Sequence, residues 1–163
     1  MLAIMSAGPP PDTAPADAPG RVEPTGPSAL HLLLRGQRSA LEPARQAVLQ
    51  FLSAWNLSPK VLFNIELVLE ETLLNAMLHA FSDGADHGIE LRVQVAPDDV
   101  ELHFTDDGVA FDPTRAPELA RPVSIEQAVP GGLGLVLVRK LARSVAYQRR
   151  DGVNHLAIQV ARR

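Results

Sequence analysis

Hydrophobic and polar positions divide this chain into short, well-separated periods. Residues 29–35 form an apolar run that reads as a strand. Ser39 precedes a helical period over 39–55, with Glu42 three residues on, which predicts a capping box. Ser58-Pro59 predicts the next helix start, with proline in the first turn and the apolar pattern continuing over 58–81. Residues 89–96 and 100–105 alternate around Pro97-Asp98-Asp99, a hairpin signal, with Val100, Leu102 and Phe104 on one face. A third helix is predicted over 132–142. A second hairpin follows, with strands 144–150 and 153–161 joined at Asp151-Gly152. Helices segregated on one face of a mostly antiparallel, mixed sheet predict an α+β two-layer sandwich, covered on that face by three helices.

The helix over 58–81 breaks its own pattern at one point. It is apolar almost all round, yet carries Glu71 and Asn75 one turn apart. Residues i and i+4 are neighbours on a helix surface, so the two project toward one point. Burying such groups is costly unless something pairs with them. The pair suggests a hydrated metal ion, a water held for chemistry, or both. Glu66 and Glu70 share a different stripe, with Phe63 and Met77, and are expected to face solvent, whereas Glu71 lies between Leu67, Leu74 and Leu78 and is expected to point inward. Read alone, Glu71 is equally well a solubilising residue on a core helix.

Two further segments carry candidate chemistry. The strand over 100–105 runs into Asp106-Asp107-Gly108-Val109-Ala110-Phe111-Asp112-Pro113. An Asp at a strand end beside glycine can accept from the exocyclic amine of a flat heterocycle, and it can equally be an ordinary Asp-Gly turn. Pro130-Gly131-Gly132-Leu133-Gly134-Leu135 leads directly into a helix. Glycines let backbone N–H groups approach an anion, and the helix start adds positive potential. The spacing is neither that of a P-loop nor that of a dinucleotide fingerprint.

The order and wording of the three segments, Glu-x-x-x-Asn-Ala-x-x-His, Asp-x-Gly-x-x-Phe-Asp-Pro and Gly-Gly-Leu-Gly-Leu, resemble the N box and two glycine boxes of the Bergerat-type ATP-binding domain. Gyrase-type ATPases, a heat-shock chaperone, histidine kinases and mismatch-repair ATPases share that domain. The wording is most similar to the anti-sigma-factor serine kinases, over residues 29–163.

The resemblance implies ATP and Mg2+ as cofactors. Asn75 would ligate the magnesium ion, and Glu71 would be the catalytic general base or hold the attacking water or hydroxyl. Asp106 would accept from the adenine amine, Gly108 would let the base approach, and Phe111 would belong to the same pocket. Gly131, Gly132, Leu133 and Gly134 would wrap the phosphates. Residues 113–130, with Pro113, Pro117, Pro122 and Pro130, would form a lid that nucleotide orders. Ala110 and Arg143 depart from the family's pattern, the first where a second glycine is common and the second where an acidic residue is expected.

The implied function is an ATP-binding regulatory serine/threonine protein kinase that binds a sigma factor and phosphorylates a STAS-type antagonist. The resembled family often dimerises. The alternatives are a kinase or ATPase of another signalling module with no sigma factor, and a nucleotide-binding regulator without catalysis. The presence of both Glu71 and Asn75 argues against the last. A histidine kinase is not expected, because no helical-bundle segment with a phospho-accepting His precedes the site.

Composition bounds the rest. The 163 residues suffice for one domain with a core, over 29–163, and carry a formal net charge of −4. With a pI near 5.7 and no basic run, direct nucleic-acid binding is not expected. There is no cysteine, hence no disulfide or thiolate metal site. The five His residues lack metal-ligand spacing, although His79 lies one turn beyond Asn75. No apolar stretch reaches a membrane span, and the start is a poor signal peptide, so a cytoplasmic location is expected. Residues 1–28, rich in Pro and Ala, read as a disordered tail.

Overall fold

The structure is a computed structural model that describes the backbone of residues 3–6 together with residues 28–81, 87–115 and 132–163; side chains in the last segment are described from Gly134. Its elements in chain order are β1 (Ala3–Ser6), β2 (Ala29–Arg35), α1 (Leu41–Leu52), α2 (Pro59–Asn75), β3 (Gly88–Val95), β4 (Asp99–Asp106), α3 (Gly132–Leu141), β5 (Ser144–Arg150) and β6 (Val153–Ala161). The strands form one six-stranded sheet in the order β1-β2-β3-β4-β6-β5. Every described pair is antiparallel, so the parallel component expected of a mixed sheet is missing among the described residues. Residues 3–6, expected within the tail, instead form an edge strand on β2. Residues 1–2 and 7–27 of that tail lie outside the described residues.

Alternation decides which face is covered. Leu32, Leu91, Val93, Leu102 and Ile158 point to one side of the sheet and are fully buried. Val48 and Leu52 of α1 and Ile65, Val68, Leu69 and Leu73 of α2 close over them, with Val138 of α3. The opposite sheet face carries polar residues such as His31, Glu90, His103 and Glu101, which pair with one another across and along strands. This is the two-layer α+β arrangement expected from the sequence.

The helix starts differ from expectation in one place. Ser58 caps α2 as read, its Oγ accepting from Val61 N at 3.3 Å with Pro59 at the first turn. Ser39 caps nothing. It lies inside a short 3-10 turn, Arg38–Ala40, and α1 begins at Leu41 without a side-chain cap. The charge of Glu42 is used sideways instead, receiving two hydrogen bonds from Arg45. Arg45 also donates to Glu66 at 2.7 Å, so Glu66 is a part-buried partner joining α1 to α2 rather than a solvent-facing residue.

The helix predicted over 58–81 is not uniform. Its α-helical part stops at Asn75, and Ala76–Ala80 form a π-helical turn in which Phe81 N donates to Ala76 O at 3.2 Å. Such widened turns occur often at functional sites. Here the turn presents the Ala80 carbonyl to Val109 N, which donates to it at 2.7 Å, and so ties the end of α2 to the loop after β4.

Candidate functional site

Three segments far apart in sequence meet where α2, the end of β4 and the start of α3 come together. Asn75 is 4% exposed. Its Nδ2 donates to the Glu71 backbone oxygen at 2.6 Å, which leaves Oδ1 as an acceptor with no hydrogen bond among the described residues. The pair expected to converge through side chains is therefore linked through one side chain and one carbonyl. Glu71 sends its carboxylate toward α3, where a Cβ placed on Gly134 would collide with it. A larger residue at Gly134 would require the Glu71 carboxylate, the end of a flexible side chain, to swing aside.

The Glu71 pKa is raised, first by burial and second by the neighbouring charge of Glu70. The folded state therefore holds this proton more tightly than the unfolded chain does. Stability linked to the group is fully present below the ordinary value of 4.5 and is lost as pH rises through the raised one. At neutral pH the carboxylate costs the fold stability. Glu71→Gln is accordingly expected to melt at a higher temperature than the parent at pH 7, with the difference disappearing as the buffer approaches pH 4.5. Thermal melts of both proteins across that interval check it, and a lower melting temperature for the variant at pH 7 would contradict the assignment.

Asp106 ends β4. Its Oδ1 accepts from Gly108 N at 3.0 Å and from Asn154 Nδ2 at 2.7 Å, while Oδ2 accepts nothing among the described residues. Gly108 is required by space: a Cβ there would sit 2.8 Å from the Ala80 carbonyl carbon, which is backbone and cannot step aside. Phe111 stacks on His79 with ring centroids 4.7 Å apart and planes at 19°. One pocket is lined by Asn75, Asp106, Phe111, Leu135 and Asn154 among others. It joins an amide oxygen and a carboxylate oxygen, both without partners among the described residues, to apolar walls.

The expected site residues thus separate into groups. Asn75, Asp106 and Phe111 share the pocket, Gly108 shapes its loop, and Glu71 and Gly134 meet beside it. Gly132 and Leu133 begin α3, and only their backbone is described. Gly131 and residues 116–130 of the expected lid lie outside the described residues. At the lid's entrance, Asp112 accepts from Thr114 and pairs with Arg115, and Arg139 of α3 donates to the Pro113 carbonyl at 2.7 Å. Arg143 has no place at this site: its guanidinium pairs with Asp99 at 3.0 Å, at the opposite end of β4 from Asp106, about 23 Å away along a strand of this length.

The histidine kinase-like ATPase domain family matches residues 35–160. The chain belongs to that family. The serine/threonine-protein kinase BtrW of Bordetella bronchiseptica is 43% identical over 103 residues, which is 62% of this chain and 71% of BtrW. The serine-protein kinase RsbW of Bacillus pumilus is 31% identical over 96 residues, covering 55% of this chain and 59% of RsbW. Among solved structures, the SiaB-SiaC complex of Pseudomonas aeruginosa contains a chain of similar fold, with TM-score 0.52 and 15% identity over 79% of this chain and 88% of that one. At that identity the likeness is one of fold.

Within this histidine kinase-like ATPase domain, three residues at the site were not singled out in the sequence. Asn154 is 4% exposed and bonds to Asp106. Tyr147 and Arg149 both donate to it. The only signal was a polar residue at an inward position of the last strand, between Val153 and the apolar run that follows. No helix among the described residues is long and apolar enough to cross a membrane.

Proposed function

We propose that this domain binds ATP with Mg2+ and transfers the γ-phosphoryl group to a serine or threonine of a STAS-type antagonist protein, while binding and holding a sigma factor that it releases in turn. It works in the cytoplasm and as a homodimer. The observation that supports the reading is one pocket shared by Asn75 and Asp106, with the Glu71–Gly134 contact beside it, built from three separate segments. The names of the related serine/threonine-protein kinase BtrW and serine-protein kinase RsbW support the phosphoryl-transfer part of it.

The residues fit the groups they would hold. Adenine offers its 6-amino group, and Asp106, which lines the pocket, has an Oδ2 with no hydrogen bond among the described residues. Mg2+ takes hard oxygen ligands and keeps waters and phosphate oxygens around itself, so a single buried amide oxygen such as Asn75 Oδ1 suits it. Among the described residues no three His, Asp or Glu gather into a metal cage, so the remaining ligands would come from phosphate and water. When bound, the metal supplies neutralisation of phosphate charge.

The chain's own residues do the rest. Asp106 accepts from the base and fixes its register. Phe111, backed by His79, bounds the pocket. The glycines at the start of α3 give the phosphates access to backbone N–H groups. Glu71, with its raised pKa, draws the proton from the incoming hydroxyl. Phosphoryl transfer needs mainly positioning and charge stabilisation, so this set suffices.

The test is incubation with γ-labelled ATP, magnesium and a STAS-type protein from the same organism. Label on a serine or threonine of that protein is expected. A preparation that binds ATP yet never labels it would replace this reading with that of a nucleotide-binding regulator.

A further inference from the structure

We infer that Asn154 is a positioning residue that sets the base preference of the pocket, and that Arg149 determines which way it faces. This inference rests on the nucleotide-binding reading given above.

An asparagine amide can face either way, and its neighbours decide which. Arg149 Nη1 lies 2.6 Å from one end of the Asn154 amide. A guanidinium has donors only, so the atom it meets must be the oxygen. Tyr147 Oη donates to the same oxygen at 2.7 Å. The amide nitrogen is thereby turned toward Asp106 Oδ1 at 2.7 Å and the Val109 carbonyl at 3.0 Å. Arg149 also donates to the Gly108 carbonyl at 2.9 Å, so one cation holds both the amide and the turn. Every polar atom of the Asn154 side chain is used inside a buried position.

The consequence falls on Asp106. Its Oδ1 is committed to two donors, Asn154 Nδ2 and Gly108 N. What remains uncommitted among the described residues is Oδ2, an acceptor and nothing else, on a residue that lines the pocket. A base there must donate. A 6-amino purine does so, whereas an unsubstituted 6-position offers no donor and a 6-oxo group brings an acceptor against an acceptor. The β5–β6 hairpin, which contributes no motif residue, thus fixes the carboxylate that reads the base.

The test compares binding of ATP with that of purine riboside triphosphate, which lacks the 6-amino group, by calorimetry. The parent protein is expected to favour ATP by roughly tenfold or more, the usual worth of a hydrogen bond to a charged group. Asn154→Asp keeps the size but replaces the donor with a second carboxylate. It should bring the ratio to about twofold or less, mainly by weakening ATP. Arg149→Met, at an exposed position directly across from Asn154 in the hairpin, should lower the ratio partway by unlocking the amide. A folded Asn154→Asp protein with the parental ratio overturns the inference, as does equal weakening of both nucleotides, the mark of a merely structural residue. If Asn154→Asp does not fold, Arg149→Met decides by the same ratio. A parent protein that binds neither nucleotide refutes the nucleotide reading itself, a different outcome from loss of preference.

Discussion

Glu71→Gln should bind ATP almost as the parent does and transfer phosphate about 10²–10⁴-fold more slowly, the usual loss on removing a general base. The substitution keeps shape and hydrogen-bonding capacity but cannot take a proton. The Glu71 carboxylate touches Gly134 at the α3 start and does not line the pocket shared by Asn75 and Asp106, so the two effects are expected to separate. Asn75→Ala should behave differently: it removes the amide oxygen offered to magnesium and also the Nδ2 bond to the Glu71 carbonyl, so magnesium-dependent binding weakens as well. Glu70, exposed on the neighbouring position, serves as the control, and Glu70→Gln should change neither quantity at neutral pH. Single-turnover transfer and calorimetry on the same preparations check all three. Loss of transfer in Glu70→Gln with Glu71→Gln intact would reverse the assignment of the two faces.

Asp106→Ala is expected to cost at least about tenfold in affinity for ATP, since a buried hydrogen bond to a charged group is worth about 1.5–3 kcal/mol. The structure adds a second reason. Removing the carboxylate also strands Gly108 N and Asn154 Nδ2, which both donate to Oδ1. Asn154 retains the Val109 carbonyl, so the loop is weakened rather than released. Calorimetric titration with ATP and ADP measures the loss, and unfolding in denaturant measures the share that belongs to the loop. Parental affinity in a folded Asp106→Ala protein would remove Asp106 from the base-binding role.

Periodicity was enough to place most elements because each satisfies a local rule. The second hairpin was legible to the residue, since alternation on both strands flanks Asp151-Gly152, where positive φ at both positions makes the tight turn. Ser58-Pro59 was legible for the same kind of reason, as a capping oxygen followed by a residue with fixed φ. Ser39 misled because a 3-10 turn intervenes before α1, and the spacing of a capping box is met by residues that do not cap. Glu66 misled because its position on the helix wheel is polar, while its partner Arg45 comes from another helix.

The candidate site was legible where one residue type alone can do the work. Asn75 breaks an apolar helix, Asp106 ends an alternating strand beside a glycine, and Gly134 opens a helix; each stands out in its own window. What the sequence by itself determined is therefore the order of elements, the layer they form and the residues that are candidates for the site. The tertiary structure alone decided how those residues face one another. It set the widened turn at Ala76–Ala80 that carries the Ala80 carbonyl to Val109, and the close approach of the Glu71 carboxylate to Gly134. It also set the Arg149–Asn154–Asp106 chain, whose members lie 5 and 48 residues apart. Local rules act through backbone torsion and through neighbours within a turn or a strand pair. Hydrogen-bond direction and steric exclusion between distant segments arise only after the sheet has set their register.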